Sequence, residues 1–101
     1  MKLDELRYEA VHPLIGSAFH ISVPERGEVD LTITDVSRVM ERVKSERLKR
    51  EPFTIHLLGP RDVRFSQGMY PFRHDELGEL EMFIVPLGAQ EDGLQYEAVF
   101  T

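Results

Sequence analysis

The chain has 101 residues, 42% of them hydrophobic and 30% charged, with a formal net charge of −6 and no cysteine. That length is one domain, large enough for a modest core without staples. The composition excludes a disulfide framework and thiolate catalysis, and no apolar run approaches the ~20 residues of a membrane helix. Met1-Lys2-Leu3-Asp4-Glu5 lacks the apolar stretch of a secretory signal. A cytoplasmic protein without a membrane partner is the expectation.

Met1 to Gly16 is weakly patterned. Leu3, Leu6 and Tyr8 suit one or two helical turns, and Pro13 forces an extended conformation on His12. Leu14-Ile15-Gly16 reads as an apolar lead into a strand. Phe19, Ile21 and Val23 alternate with His20 and Ser22, the period of a half-buried strand. Pro24-Glu25-Arg26-Gly27 is a turn. Val29, Leu31 and Ile33 then alternate with Asp30, Thr32 and Thr34, so the two runs form a hairpin.

The alternation breaks at Asp35-Val36. Val36, Val39, Met40 and Val43 stand at helical spacing, which predicts a helix over about 36–49, stopped before Pro52. The competing reading continues the strand to Val39 and leaves a charged loop.

Phe53, Ile55 and Leu57 alternate with Thr54 and His56, a strand closed by Gly59-Pro60. Val63 and Phe65 make a brief run. Met69, Tyr70 and Phe72 form a strand that Pro71 marks as an edge or a bulge. His74-Asp75-Glu76-Leu77-Gly78 is a loop that His74 pins through backbone hydrogen bonds. Leu80, Met82 and Ile84 make a strand, and Phe83 with Val85 gives it a second apolar face, so a central position or cover on both sides is expected up to Pro86. Asp92-Gly93 signals a hairpin. Leu94, Tyr96, Ala98 and Phe100 form the last strand. The sum is a mainly β domain: a small antiparallel barrel or two-sheet sandwich of six to seven short strands.

Several motifs stand together in the second half: Gln67-Gly68-Met69-Tyr70…His74…Leu77-Gly78, then Phe83…Val85-Pro86-Leu87-Gly88, then Tyr96-Glu97-Ala98-Val99-Phe100. Leu14-Ile15-Gly16…Phe19 and Phe53…Ile55…Leu57…Gly59-Pro60 precede them. The combination resembles a small uncharacterised bacterial family, a domain of unknown function with the pattern QGxYxxxHxxLG…FxVPxG…YEAVF. The resemblance implies a compact β domain that is an accessory rather than an enzyme, set among tail-collar-like proteins. Residues 35–51 depart from the pattern and inherit nothing from it.

Arg38, Arg42, Lys44, Arg47, Lys49 and Arg50 place half of the basic residues in one short window, which holds only Glu41 and Glu46 as acids. The remainder is strongly acidic. Such asymmetry marks a partner surface or a self-complementary contact, or else a solvated segment that offsets an acidic body. Nucleic-acid binding through 38–50 is the weaker alternative, because no aromatic residue interleaves the charges and the body repels phosphate.

The catalytic inventory is thin. His12, His20, His56 and His74 are too far apart in sequence for a chelating motif; His20 and His56 could meet only if their strands were neighbours. Glu79, Glu81 and Glu97 are solvent-facing strand residues, with no fixed carboxylate separation. No serine has a nucleophile-elbow context. The seven aromatics of the second half supply core, with the Tyr70 and Tyr96 hydroxyls at its rim. No metal, cofactor or catalytic residue is expected.

The function expected is a non-enzymatic protein-binding or assembly module, with Arg38, Arg42, Arg47 and Arg50 as partner-binding residues. A ligand or enzymatic pocket near His74, Asp75 and Tyr70 is the alternative.

Overall fold

The computed structural model describes residues 6–38 and 52–100. A four-residue helix α1 (Tyr8–Val11) runs into a 3-10 turn (His12–Leu14). Six strands follow: β1 (Ala18–Val23), β2 (Gly27–Arg38), β3 (Phe53–Gly59), β4 (Gly68–His74), β5 (Gly78–Gln90) and β6 (Gly93–Phe100). They form a closed antiparallel barrel in the order β1-β2-β3-β6-β5-β4. The barrel, rather than a two-sheet sandwich, is the architecture.

The inward residues are those that the period-2 pattern selects. Phe19, Leu31, Ile33, Phe53, Ile55, Leu57, Met82 and Ile84 are all fully or almost fully buried. Phe53 and Phe100 lie stacked at 4.9 Å between centroids across the β3–β6 ladder. Leu6 and Val11, from the segment before the barrel, are completely buried in the same core. The β1–β2 hairpin turns at Pro24–Arg26, where Glu25 adopts a positive φ of 71° and Gly27 one of 90°.

Four local expectations are corrected. His12 is helical, at φ −52° and ψ −44°, although it precedes Pro13. It ends one helix and begins the 3-10 turn, where the missing proline N–H costs nothing. The break at Asp35-Val36 is not a helix start. The register of β2 on β3 shifts between Ile33 and Asp35, so Thr34 is an extra residue and both Thr34 and Asp35 face outward. This β-bulge moves the buried position by one. Val36 is buried, and Val36–Arg38 pair with Ile55, Thr54 and Phe53 as strand. The rest of the predicted helix, 39–49, lies outside the described residues.

Pro86 does not end β5. Residues 78–84 of that strand pair with β4, and from Val85 onward it pairs with β6, with a second bulge between Pro86 and Gly88. A residue lacking an N–H is tolerated where a strand changes partner. β5 is central, between β4 and β6, but it is not covered on both sides: Phe83 is 45% exposed. Val63 and Phe65 are buried but belong to no strand.

The closure of the barrel is uneven. Every ladder except one holds several residue pairs, whereas β1 meets β4 in register only at His20 and Arg73. Pro71 is in register with Glu81 of β5 and has no registered partner on β1. The seam is the site-forming feature of the fold.

Candidate functional site

Two polar groups flank the β1–β4 seam, one inside the barrel wall and one outside. The inner group is His74, at the end of β4, with Ser17, which precedes β1. His74 is 2% exposed and packs on the Phe19 ring at 5.2 Å. Its Nε2 is 2.8 Å from Ser17 Oγ, and Ser17 Oγ donates to the Leu14 carbonyl at 2.5 Å. The other ring nitrogen accepts from the backbone N–H groups of Glu76 at 3.0 Å and Leu77 at 3.4 Å.

Those donors fix the tautomer. Nδ1 faces two N–H groups and carries the lone pair, so the proton is on Nε2 and is donated to Ser17. An activated serine requires the reverse, a histidine nitrogen that accepts the hydroxyl proton. Ser17–His74 is thus a strut that ties the β4–β5 turn to the start of β1. Burial lowers the pKa of His74, opposed by the nearby Glu76 and Asp75 carboxylates.

The outer group centres on His20. Its Nδ1 is 2.7 Å from Asp30 Oδ1 and 3.7 Å from Glu28 Oε1, and its Nε2 is 3.6 Å from Asp75 Oδ1. Arg73, the partner of His20 across the seam, donates to Glu28 Oε2 at 2.5 Å and to Asp75 Oδ1 at 3.4 Å. The hydrogen bond to Glu28, then its charge, holds the guanidinium firmly protonated. The hairpin builds this arrangement: His20 stands opposite Asp30 in the β1–β2 register, with Glu28 two residues along. A cleft of about 470 Å³ opens beside His20 and Arg73, bounded by Ser22, Pro71 and Glu79. A further cleft of about 340 Å³ follows the same seam toward Phe65 and Tyr70.

The residues singled out from sequence are scattered. His74 is internal, Asp75 joins the outer cluster, and Tyr70 sits farther along β4 donating to the Ser66 carbonyl at 2.8 Å. The three do not converge on one pocket. Tyr96 is not at the rim: it is 1% exposed, and its hydroxyl accepts from the Phe65 N–H at 3.1 Å and lies 3.5 Å from the Val63 carbonyl. His20 and His56 are kept apart by β2, each facing its own aspartate on that strand, Asp30 and Asp35. Glu97 pairs across the β5–β6 ladder with Val85 rather than with a glutamate.

Of the four arginines expected to bind a partner, Arg42, Arg47 and Arg50 lie outside the described residues. Arg38 closes β2, where it lies 4.3 Å over the Tyr8 ring and donates to Glu9 at 3.3 Å. It tethers α1 to the barrel. Missed altogether were Ser17, whose partner is 57 residues away, and the His20–Glu28–Asp30 cluster.

Neither a curated protein nor a solved structure matches the sequence. A family model described as a domain of unknown function, DUF6916, matches residues 6–100, the barrel and its N-terminal helix together. With nearly the whole length matched, the chain belongs to the DUF6916 family.

Proposed function

We propose that the domain is a non-enzymatic protein-binding module that assembles with further copies of itself, as an accessory of a larger bacterial, phage-tail-like structure in the cytoplasm. One observation carries this reading. Met69 on β4, Phe83 and Leu87 on β5 and Val99 on β6 are 55%, 45%, 46% and 51% exposed, on three adjacent strands. Met69 and Phe83 are direct cross-strand partners. A lone exposed apolar residue is ordinary, whereas several on neighbouring strands mark a contact face.

Charge supports self-association over a foreign partner. The window 38–50 is basic and the remainder of the chain acidic, so one copy offers another a complementary surface. The direction of the Ser17–His74 hydrogen bond supports a non-catalytic role. A pocket shared by His74, Asp75 and Tyr70 has less support, since those residues are separated. Nucleic-acid binding has less support too, because no aromatic residue interleaves the basic window 38–50 and the remainder of the chain is acidic.

Sedimentation velocity over a concentration series tests the proposal. The wild type is expected to form oligomers at micromolar concentration, and Met69→Lys/Phe83→Lys is expected to stay monomeric with an unchanged melting temperature. Reversing Arg38, Arg42, Arg47 and Arg50 to glutamate weakens assembly most at low salt. A wild-type chain that remains monomeric at several hundred micromolar rejects the reading.

A further inference from the structure

We infer that His20, Glu28 and Asp30 form a divalent transition-metal site on the outer face of the β1–β2 hairpin, taking an ion of the zinc type. The three ligand atoms, one from each residue, all lie within 4.8 Å of one another. Ligand atoms around a tetrahedral ion with bonds of about 2.0–2.2 Å stand roughly 3.3 Å apart. The two distances from His20 Nδ1, 2.7 Å to Asp30 and 3.7 Å to Glu28, bracket that value. Small rotamer adjustments of exposed carboxylates bring all three onto one ion.

The outer shell is also present. A metal-binding histidine presents its other ring nitrogen to a carboxylate, and ligating carboxylates are themselves held by hydrogen bonds. Here Asp75 faces the distal Nε2 of His20 at 3.6 Å. Arg73 holds Glu28 by Oε2 and leaves Oε1 toward the imidazole. Arg73 adds one opposing positive charge, against three carboxylates from Glu28, Asp30 and Asp75. An imidazole nitrogen with two carboxylates favours zinc, cobalt or nickel over magnesium and calcium, which prefer all-oxygen shells. Three protein ligands leave a fourth position for water or an exogenous ligand beside the 470 Å³ cleft that His20 lines.

His56 supplies the internal control. It too lies near two carboxylates, but Asp35 faces its Nδ1 at 3.7 Å and Glu97 its Nε2 at 3.8 Å. Carboxylates at opposite ring nitrogens cannot chelate one ion with that imidazole.

The test is isothermal titration of zinc sulfate into chelator-treated full-length protein at pH 7.5, with thermal melting in parallel. One zinc per chain is expected to bind with a micromolar dissociation constant and raise the melting temperature. His20→Gln and Asp30→Asn each weaken binding at least tenfold, Asp75→Asn weakens it less, and His56→Gln leaves it unchanged. Millimolar magnesium and calcium do not compete. Circular dichroism of the variants excludes unfolding as the cause, since all the substituted side chains lie on the outer face. Binding no tighter than millimolar, binding that survives His20→Gln, or binding that His56→Gln removes overturns the assignment; so does equal affinity for calcium.

Discussion

His20 on β1 stands opposite Arg73 on β4, and this single registered pair closes a barrel whose other ladders are each several pairs long. Cooperative stability is not uniform across such a wall, and opening begins where backbone pairing is sparsest. Amide hydrogen exchange is expected to be fastest for the seam-facing amides of β1 and β4 and slowest in the β3–β6 ladder, where seven pairs run from Phe53–Phe100 to Gly59–Leu94. Arg73→Ala, which removes the bonds to Glu28 and Asp75, accelerates seam exchange without touching β3 and β6. Equal protection in both ladders would show that the seam is not the weak line.

The Ser17–His74 strut makes a second prediction. Ser17→Ala leaves a buried imidazole N–H without its acceptor and costs about 1–3 kcal/mol. His74→Ala also empties a cavity against Phe19 and unties the Glu76 and Leu77 amides, so a larger loss is expected. The two effects share one contact, so the double variant should lose less than the sum of the single losses. Denaturant unfolding of the three variants measures this, and strict additivity would mean the hydrogen bond contributes nothing.

The same histidine gives the stability a pH dependence with a definite sign. Burial lowers the folded-state pKa of His74 below the ordinary value of 6.5. Between those two values the unfolded chain binds the proton that the folded chain resists, so stability falls as pH drops below about 6.5. Protonation of Nδ1 would also set an N–H against two others in the β4–β5 turn. Chemical unfolding at pH 7.5 and 5.0 should show this loss in the wild type and a smaller one in His74→Phe. An identical pH response in that variant would assign the acid sensitivity elsewhere.

The strands were legible because the inward residues of a small barrel recur at every second position, as Phe53, Ile55 and Leu57 do. The role of His74 as a pin for its own turn was legible too, since the acceptor and both donors lie within three residues. Ser17 was not, because nothing local marks a contact that exists only after the barrel closes. The bulge at Thr34 imitated a helix start: one extra residue breaks a period of two just as a change of period does. The His20–Asp30 pairing was recoverable in principle. The sequence pattern places a hairpin across Pro24–Gly27, and a Val23–Gly27 register carries His20 to Asp30. Exposure of Phe83 was hidden because an apolar outward residue has the same sequence signature whether a partner, a neighbouring layer or water covers it.

Tyr96 yields a prediction about the connection between β3 and β4. Its buried hydroxyl accepts from the Phe65 N–H and faces the Val63 carbonyl, holding the only described strand-free segment between those strands against the barrel. Tyr96→Phe keeps the ring, including its edge-on contact with Phe65 at 6.0 Å, and removes the oxygen alone. The expected loss is about 1–2 kcal/mol, with faster proteolysis near Arg64. No change in either would mean that packing of Phe65 and Val63 suffices.

Gly93 directly precedes Leu94, the partner of Gly59 at the end of the β3–β6 ladder, and a Cβ built on Gly93 would collide with the backbone oxygen of Gly59. Gly93 also holds a φ of 152°, at the margin of what other residues adopt. A carbonyl in a ladder cannot retreat as a flexible side chain can, so Gly93→Ala must push the strands apart where β6 also starts its pairing with β5 through Gln90. A loss of about 2–4 kcal/mol is expected, in the range of core overpacking with added backbone strain. Gly59→Ala meets the end of the Leu31 side chain instead, which can rotate, and should be the milder of the two. Melting temperatures of both variants decide the matter: the order Gly93→Ala below Gly59→Ala follows from backbone against side-chain obstruction, and the reverse order would place the tight approach in the core rather than in the ladder.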